Sequence, residues 1–160
     1  MFPETSKPVR RFAEIRKTPA KAYNFPQRPA TRPRSPGEGF LQMTIDERRF
    51  GDVTLLRVEG RIVYGDGAQQ LRERITNLID EARLKFLLDL RDVTYIDSFG
   101  VGVIAAKYVS VRRKGGDLKL VHPSARSHRV MAISGLMKIF ESFDSAEEGI
   151  RSFARAHRAV

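Results

Sequence analysis

The chain of 160 residues contains no cysteine. That excludes a disulfide framework, a thiol nucleophile and any metal site built on Cys. Histidine is scarce as well: His122, His128 and His157 are scattered, none at i, i+4 from another, so a histidine metal site is not expected. No apolar run approaches the ~20 residues that cross a bilayer, and the N-terminus lacks the apolar core of a secretory signal. These absences predict a cytoplasmic chain without a membrane span. Acids are the scarce charge, 19 against 29 Lys and Arg, for a net +10.

The excess is uneven. Residues 1 to 39 hold nine Lys or Arg against Glu4, Glu14 and Glu38, a net +6, together with seven of the eight prolines. A basic, proline-rich segment with few large apolar residues buries too little surface to offset its ordering entropy. Residues 1–41 are therefore expected to be a disordered arm. Such an arm suits nucleic acid, anionic lipid or an acidic partner, or is a solvated tail with no ligand. An organellar transit peptide fits less well, because no sustained amphipathic helix accompanies the arginines. A further alternative makes Met43 the translation start and the arm an extension.

From residue 42 strand and helix patterns alternate, the arrangement of a sheet with helices packed on it. Gln42 to Phe50 and Val53 to Glu59 read as a hairpin turning at Gly51-Asp52. Asp66 or a neighbour caps a helix with an apolar stripe of Ala68, Leu71, Ile75, Leu78, Ile79 and Ala82. Lys85 to Leu90 carries Phe86-Leu87-Leu88, the uninterrupted run of a central strand covered on both faces. Val101, Ile104, Ala105, Tyr108 and Val111 then repeat at helical spacing up to the stop at Gly115-Gly116. Asp117 to Val121 is a strand, Ser124 caps a helix ending near Ser134 and Gly135, and Ile139 to Phe143 is a last strand. Ser145-Ala-Glu-Glu148 has the capping-box spacing, opening a final helix with Ile150, Phe153 and Ala154 buried.

The chemistry centres on Asp89-Leu-Arg-Asp-Val-Thr-Tyr-Ile-Asp-Ser98-Phe-Gly-Val-Gly-Val-Ile104, where a strand ends in a turn that presents Ser98 just before a helix. Ser and Asp in such places are common N-caps, and capping alone accounts for either. It does not account for Gly100 and Gly102, since glycine in a helical turn costs about 1 kcal/mol relative to alanine. Close approach of something to that turn is the reading. A helix start with free amides and the positive end of the dipole favours a docked partner or a phosphate formed there. Phosphorylating Ser98 would add about −1.5 to −2 charges.

Enzyme readings lack their required residues. A receiver-type phosphoaspartate site on Asp89 needs an acidic pair after the first strand to hold a divalent metal, and Gly60-Arg61-Ile62-Val63 offers none. Gly65-Asp-Gly67 lacks the third glycine of a dinucleotide loop, and Gly100-Val-Gly102 comes late in the chain. A serine hydrolase elbow is absent because residue 96 is Ile, and His122, before Pro123, reads as a loop histidine. No catalytic residue, metal ligand or cofactor site is assigned.

Tyr95-Ile96-Asp97-Ser98-Phe99-Gly100-Val101-Gly102 resembles the Asp-Ser-x-Gly-x-Gly signature of STAS domains of the anti-sigma factor antagonist type. The resemblance covers roughly residues 43 to 155, with Gly60-Arg61-Ile62, Leu-Leu-Asp-Leu, Gly115-Gly116 and Ile133-Ser134-Gly135-Leu136 in the family order. It implies one α/β STAS-like domain over 42–160, with a mixed β-sheet of about four to five strands and helices packed mainly on one side. It further implies that Ser98 is phosphorylated by an anti-sigma factor that is itself a serine kinase, and dephosphorylated by a serine phosphatase. The unphosphorylated form would bind the kinase and release a sigma factor. Asp97 would shape the turn or engage the kinase, and Ser98, Gly100, Val101 and Gly102 would belong to the docking surface.

Two departures stand out. The acid common shortly after the early glycine is replaced by Arg61-Ile62-Val63-Tyr64, and Phe99 stands where a small residue is usual, adding an aromatic to the docking face. The alternative is a STAS scaffold, stress-signalling or transporter-associated, in which Ser98 is only a helix cap. A third reading uses the basic arm on nucleic acid, which the folded domain itself is not expected to bind. A chain beginning at Met43 is expected to melt with the cooperativity of the full-length protein in calorimetry; loss of that transition would place residues 1–42 in the core.

Overall fold

The computed structural model describes residues 43–156, so the arm expected at 1–41 and His157 lie outside the described residues. Ten elements follow one another: β1 (Thr44–Phe50), β2 (Val53–Ile62), α1 (Asp66–Asp80), β3 (Lys85–Ile96), α2 (Ser98–Arg113), β4 (Asp117–Val121), α3 (Ala125–Ile133), a 3-10 turn (Leu136–Lys138), β5 (Ser142–Phe143) and α4 (Ala146–Ala156). The strands lie in the sheet in chain order, β1-β2-β3-β4-β5. The β1–β2 hairpin is antiparallel and turns at Gly51-Asp52 as expected, while β2, β3, β4 and β5 pair in parallel. The sheet is thus mixed, with five strands, and β3 is central.

Alternation along the strands divides the core in two. Leu56, Val58, Phe86, Leu88, Leu90, Leu118 and Leu120 face the stripes of α1, α2 and α3, where Leu71, Ile75, Leu78, Val101, Ile104, Val111 and Met131 are buried. Val53, Leu55, Leu87 and Val121 point to the opposite face, under Ala146, Ile150 and Phe153 of α4. Among the described residues three helices lie on one side and one on the other. The buried Lys119 on the α4 side is fully partnered: its ammonium donates to Ser152 Oγ at 3.0 Å and pairs with Glu141 at 2.5 Å.

Several element limits differ from the expectation, for local reasons. Asp66 opens α1, but the cap position belongs to Gly65, at φ 97°, and carries no side-chain cap bond. Ala82 is not part of the stripe; it sits past the end of α1, exposed, at φ 61°. The strand expected at Ile139 to Phe143 shrinks to Ser142–Phe143, because the 3-10 turn continues the chain and the Phe140 amide bonds back to the Leu136 carbonyl. Phe140 instead packs edge-on against Tyr108, ring centres 5.0 Å apart. Ser124 caps α3 by accepting from the Ser127 amide, Gly135 takes φ 70°, and Ser145 accepts from the Glu148 amide, all as the sequence predicts.

The difference that matters most for function lies in the middle of the sheet. β2 runs on through Gly60-Arg61-Ile62, and β3 continues six residues past Leu90 to Ile96, through two register irregularities between Arg57/Glu59 and Gly60/Arg61. The apolar run of β3 ends at Leu90, so periodicity alone does not reveal this extension. Its effect is to bring Ile62 level with Ile96, placing the β2–α1 loop beside the start of α2. Leu88→Ala, a truncation in the fully enclosed central strand, is expected to cost about 2–5 kcal/mol; a urea midpoint close to wild type would show that β3 is not the centre of the core.

Candidate functional site

At the end of β3 the chain must leave the sheet and enter α2, and Asp97 makes that transition. Its backbone is extended (φ −100°, ψ 177°) and its Oδ1 accepts from the Gly100 amide at 2.8 Å, a side-chain N-cap. The second oxygen, Oδ2, accepts from the Tyr64 amide at 3.0 Å, and the Asp97 amide donates to the Ile62 carbonyl at 3.3 Å. One carboxylate therefore caps α2 and ties the β2–α1 loop to it.

Ser98 is the first residue of α2, not its cap, which corrects the premise of the scaffold alternative. The cap role is taken by Asp97, whose carboxylate reaches the third amide of the helix. Ser98 is exposed, and among the described residues its hydroxyl makes no hydrogen bond. No described hydrogen bond links it to a histidine. His122, at the end of β4, instead places Nδ1 3.3 Å from Asp89 Oδ1 and Nε2 2.7 Å from the Arg91 guanidinium.

The remaining signature residues separate into two sets. Gly100 is buried, and a Cβ there would lie 2.2 Å from the Ile62 carbonyl oxygen, so what approaches this glycine is the protein's own β2. Val101 is 2% exposed and belongs to the core. Both were expected on the docking face; the structure buries them beneath the exposed Ser98, Phe99 and Gly102 instead. Phe99 (44% exposed) and Gly102 face outward, with open space above Gly102.

Sequence reasoning passed over Tyr64 as a contributor. It is 77% exposed and meets Phe99 edge-to-face, centroids 5.0 Å apart at 83°. The available signal was an aromatic in the short Val63-Tyr64-Gly65 loop after β2, but its partner is brought beside it only by the pairing of β2 with β3. Behind Phe99 a groove of about 460 Å³ runs between α1 and α2, lined by Arg72, Ser98, Phe99, Gly102, Val103, Ala106, Lys107 and Ser110. Lys107 donates to Thr76 Oγ1 at 2.6 Å. Burial first, then the positive charge of Arg72, holds its ammonium below the usual lysine range, and Asp80 opposes them.

A mixed sheet carrying an Asp-capped serine turn at the C-terminal end of its central strand defines the class. Residues 44–149 match the STAS domain family, and the chain belongs to that family. Among individual proteins, it is 30% identical over 112 residues to the anti-sigma-B factor antagonist of Bacillus subtilis, covering 69% of this chain and 100% of the relative. The crystal structure of a candidate anti-sigma factor antagonist from Thermotoga maritima superposes with a TM-score of 0.64 at 26% identity, covering 68% of this chain and 92% of that one. The Bacillus cell fate determinant SpoIIAA in its phosphorylated form shares the fold, with a TM-score of 0.57 at 20% identity over 69% of this chain and 99% of its own. No helix among the described residues is long and apolar enough to cross a membrane.

Removing the bridging carboxylate with Asp97→Ala is expected to lower stability by about 1–2 kcal/mol, with Asp97→Asn, which keeps an acceptor for Gly100, losing less. Gly100→Ala, which drives a methyl into a carbonyl, should cost about 3 kcal/mol or more. Equal unfolding midpoints for wild type and Gly100→Ala would contradict the close approach.

Proposed function

We propose that this protein is an anti-sigma factor antagonist, a cytoplasmic binding protein switched by phosphorylation of Ser98. The observation that carries the reading is that Ser98 Oγ is exposed and uncommitted at a helix start, because Asp97 performs the capping. A serine needed for the fold would be occupied; this one is available. The relatives' names and the phosphorylated form of the SpoIIAA neighbour support the same reading.

In this reading the partner is an anti-sigma factor that is also a serine kinase. Ser98 Oγ attacks the γ-phosphorus of ATP held by that kinase, the hydroxyl proton passes to a base of the kinase, and ADP departs. The chain is the substrate, and catalysis belongs to the partner. A serine phosphatase hydrolyses the ester and restores the hydroxyl. The unphosphorylated face, built of Ser98, Phe99 and Gly102 with Tyr64 beside them and Asp97, Gly100 and Val101 holding them, binds the anti-sigma factor and so releases a sigma factor. Residues 42–160 form the STAS domain and 1–41 an accessory arm.

The dipole of α2 and the free amides at its first turn make a phosphate on Ser98 compatible with the fold. The same phosphate brings a dianion to the aromatic face and weakens docking. Intact-mass analysis after incubation with ATP and the kinase should show one added phosphate on wild type and none on Ser98→Ala. Ser98→Asp should bind the kinase at least about tenfold more weakly than Ser98→Ala. If wild type takes up no phosphate and both variants bind as it does, the switch is refuted and a scaffold role takes its place.

A further inference from the structure

Strand alternation sends Arg61 and Tyr95 to the α4 side of the sheet, since their neighbours Ile62 and Ile96 are buried against α1, α2 and α3. On that side α4 packs on Val53, Leu55 and Leu87, at the other ends of β2 and β3. Two guanidinium groups meet at the Tyr95 ring: Arg61 from β2, 5.1 Å from its centre, and Arg126 from the first turn of α3, at 4.6 Å. Stacking on an aromatic uses the flat face of a guanidinium and leaves its N–H donors for an anion.

The basic surface continues along α3. Arg129 and Ile133 follow Arg126 at i+3 and i+7 on one face of the helix, turned away from the buried Ser127 and Met131. Both arginines are exposed, and so is Ile133, at 82%. α3 contains no acid, and among the described residues Arg61, Arg126 and Arg129 form no ion pair. The acids on the same side of the sheet serve another arginine. Asp92 bonds Arg57 at 2.7 Å and, with the charges of Asp89 and Asp46, raises it above the usual arginine value. The parts of the chain outside the described residues add no acid to match: residues 1–39 carry a net +6, and 157–160 are His-Arg-Ala-Val.

We propose that this face, from Arg61 and Tyr95 along Arg126 and Arg129 to Ile133, docks an acidic segment of the anti-sigma factor partner that also carries an apolar side chain for Ile133. This rests on the switch reading and deepens it by assigning the partner's chemistry. A guanidinium pairs a carboxylate through two parallel bonds, so the arginines set the register of the docked segment, and Ile133 adds a contact that needs no charge. A nucleic acid fits less well, because its row of phosphates meets Asp46, Asp89 and Asp92 on the same side of the sheet. Affinity for the partner then falls as salt screens the pairing.

The test uses the full chain with Ser98→Ala, so that no phosphate on residue 98 contributes, and each anti-sigma factor kinase of the host genome. With p-benzoylphenylalanine in place of Ile133, photo-crosslinking is expected to capture a kinase segment of net negative charge. Arg61→Glu, Arg126→Glu and Arg129→Glu should each weaken kinase binding about tenfold or more, at unchanged unfolding midpoints. Replacing the captured segment's acids by arginine should restore binding to the charge-reversed chains. A captured segment that is neutral or basic overturns the proposal. Wild-type affinity in all three reversals overturns it too, and phosphate uptake on Ser98 of the unsubstituted chain then leaves the switch standing. A labelled oligonucleotide that binds wild type but not Arg126→Glu, while the kinase binds both alike, assigns the face to nucleic acid instead. If no kinase binds the chain at all, this proposal and the switch fall together.

Discussion

The Asp97 carboxylate is the contact on which the surface of this domain depends. It accepts one amide from α2 and one from the β2–α1 loop, whose Tyr64 lies 33 residues before Asp97 in sequence. The fit has no slack: the loop's last strand residue, Ile62, presses its carbonyl oxygen into the space where a Cβ on Gly100 would be. Glycine at 100 and aspartate at 97 are thus two halves of one requirement. The first lets β2 and α2 approach, and the second satisfies the amides that the approach would otherwise leave unpaired. Ser98 is exposed because its neighbours carry out the structural work.

Much of the scaffold was legible from periodicity, and the reasons are physical. The β4 limits, the Ser124 cap, the Ser145 capping box and the stripe from Ala68 to Ile79 are set by local chemistry within a few residues. What was not legible depends on partners far along the chain. The run of β3 past Leu90 is mostly polar: Asp92 and Tyr95 pair with Glu59 and Arg61 of β2, while Arg91 and Thr94 fall at the two register irregularities. Ala82 carries the right apolarity for a helix stripe but lies beyond the helix end, where backbone sign rather than side-chain type decides. The Ile139 to Phe143 stretch has strand-like composition, yet burying Phe140 against Tyr108 turns the chain there.

The same distinction holds within the site. The signature located the turn and its exposed serine, but treated the two glycines alike, whereas Gly100 meets its own protein and Gly102 meets open space. Sequence spacing cannot separate these cases, because both glycines sit in the first turns of one helix. The aromatic pair of Tyr64 and Phe99 is likewise a product of folding. It puts an apolar, partly exposed anchor beside the free hydroxyl of Ser98, a combination suited to the switch proposed for this surface.

Magnitudes favour a switch confined to that surface. A negative charge in the first turn of a helix is stabilised by about 0.3–1 kcal/mol through the dipole, and Asp97 already holds the cap, so no native bond at the turn is lost when Ser98 is esterified. The fold has little reason to respond. A partner covering the turn, by contrast, must strip water from a dianion, and removing a single ion from water costs several kcal/mol unless a cation meets it at short range. Lys107, on the same helix, stands about 14 Å further along the axis and cannot supply one. On the proposed reading the same phosphate is slightly favourable to the free domain and strongly unfavourable to the docked one, an opposition in sign by which one hydroxyl would control binding without moving the backbone.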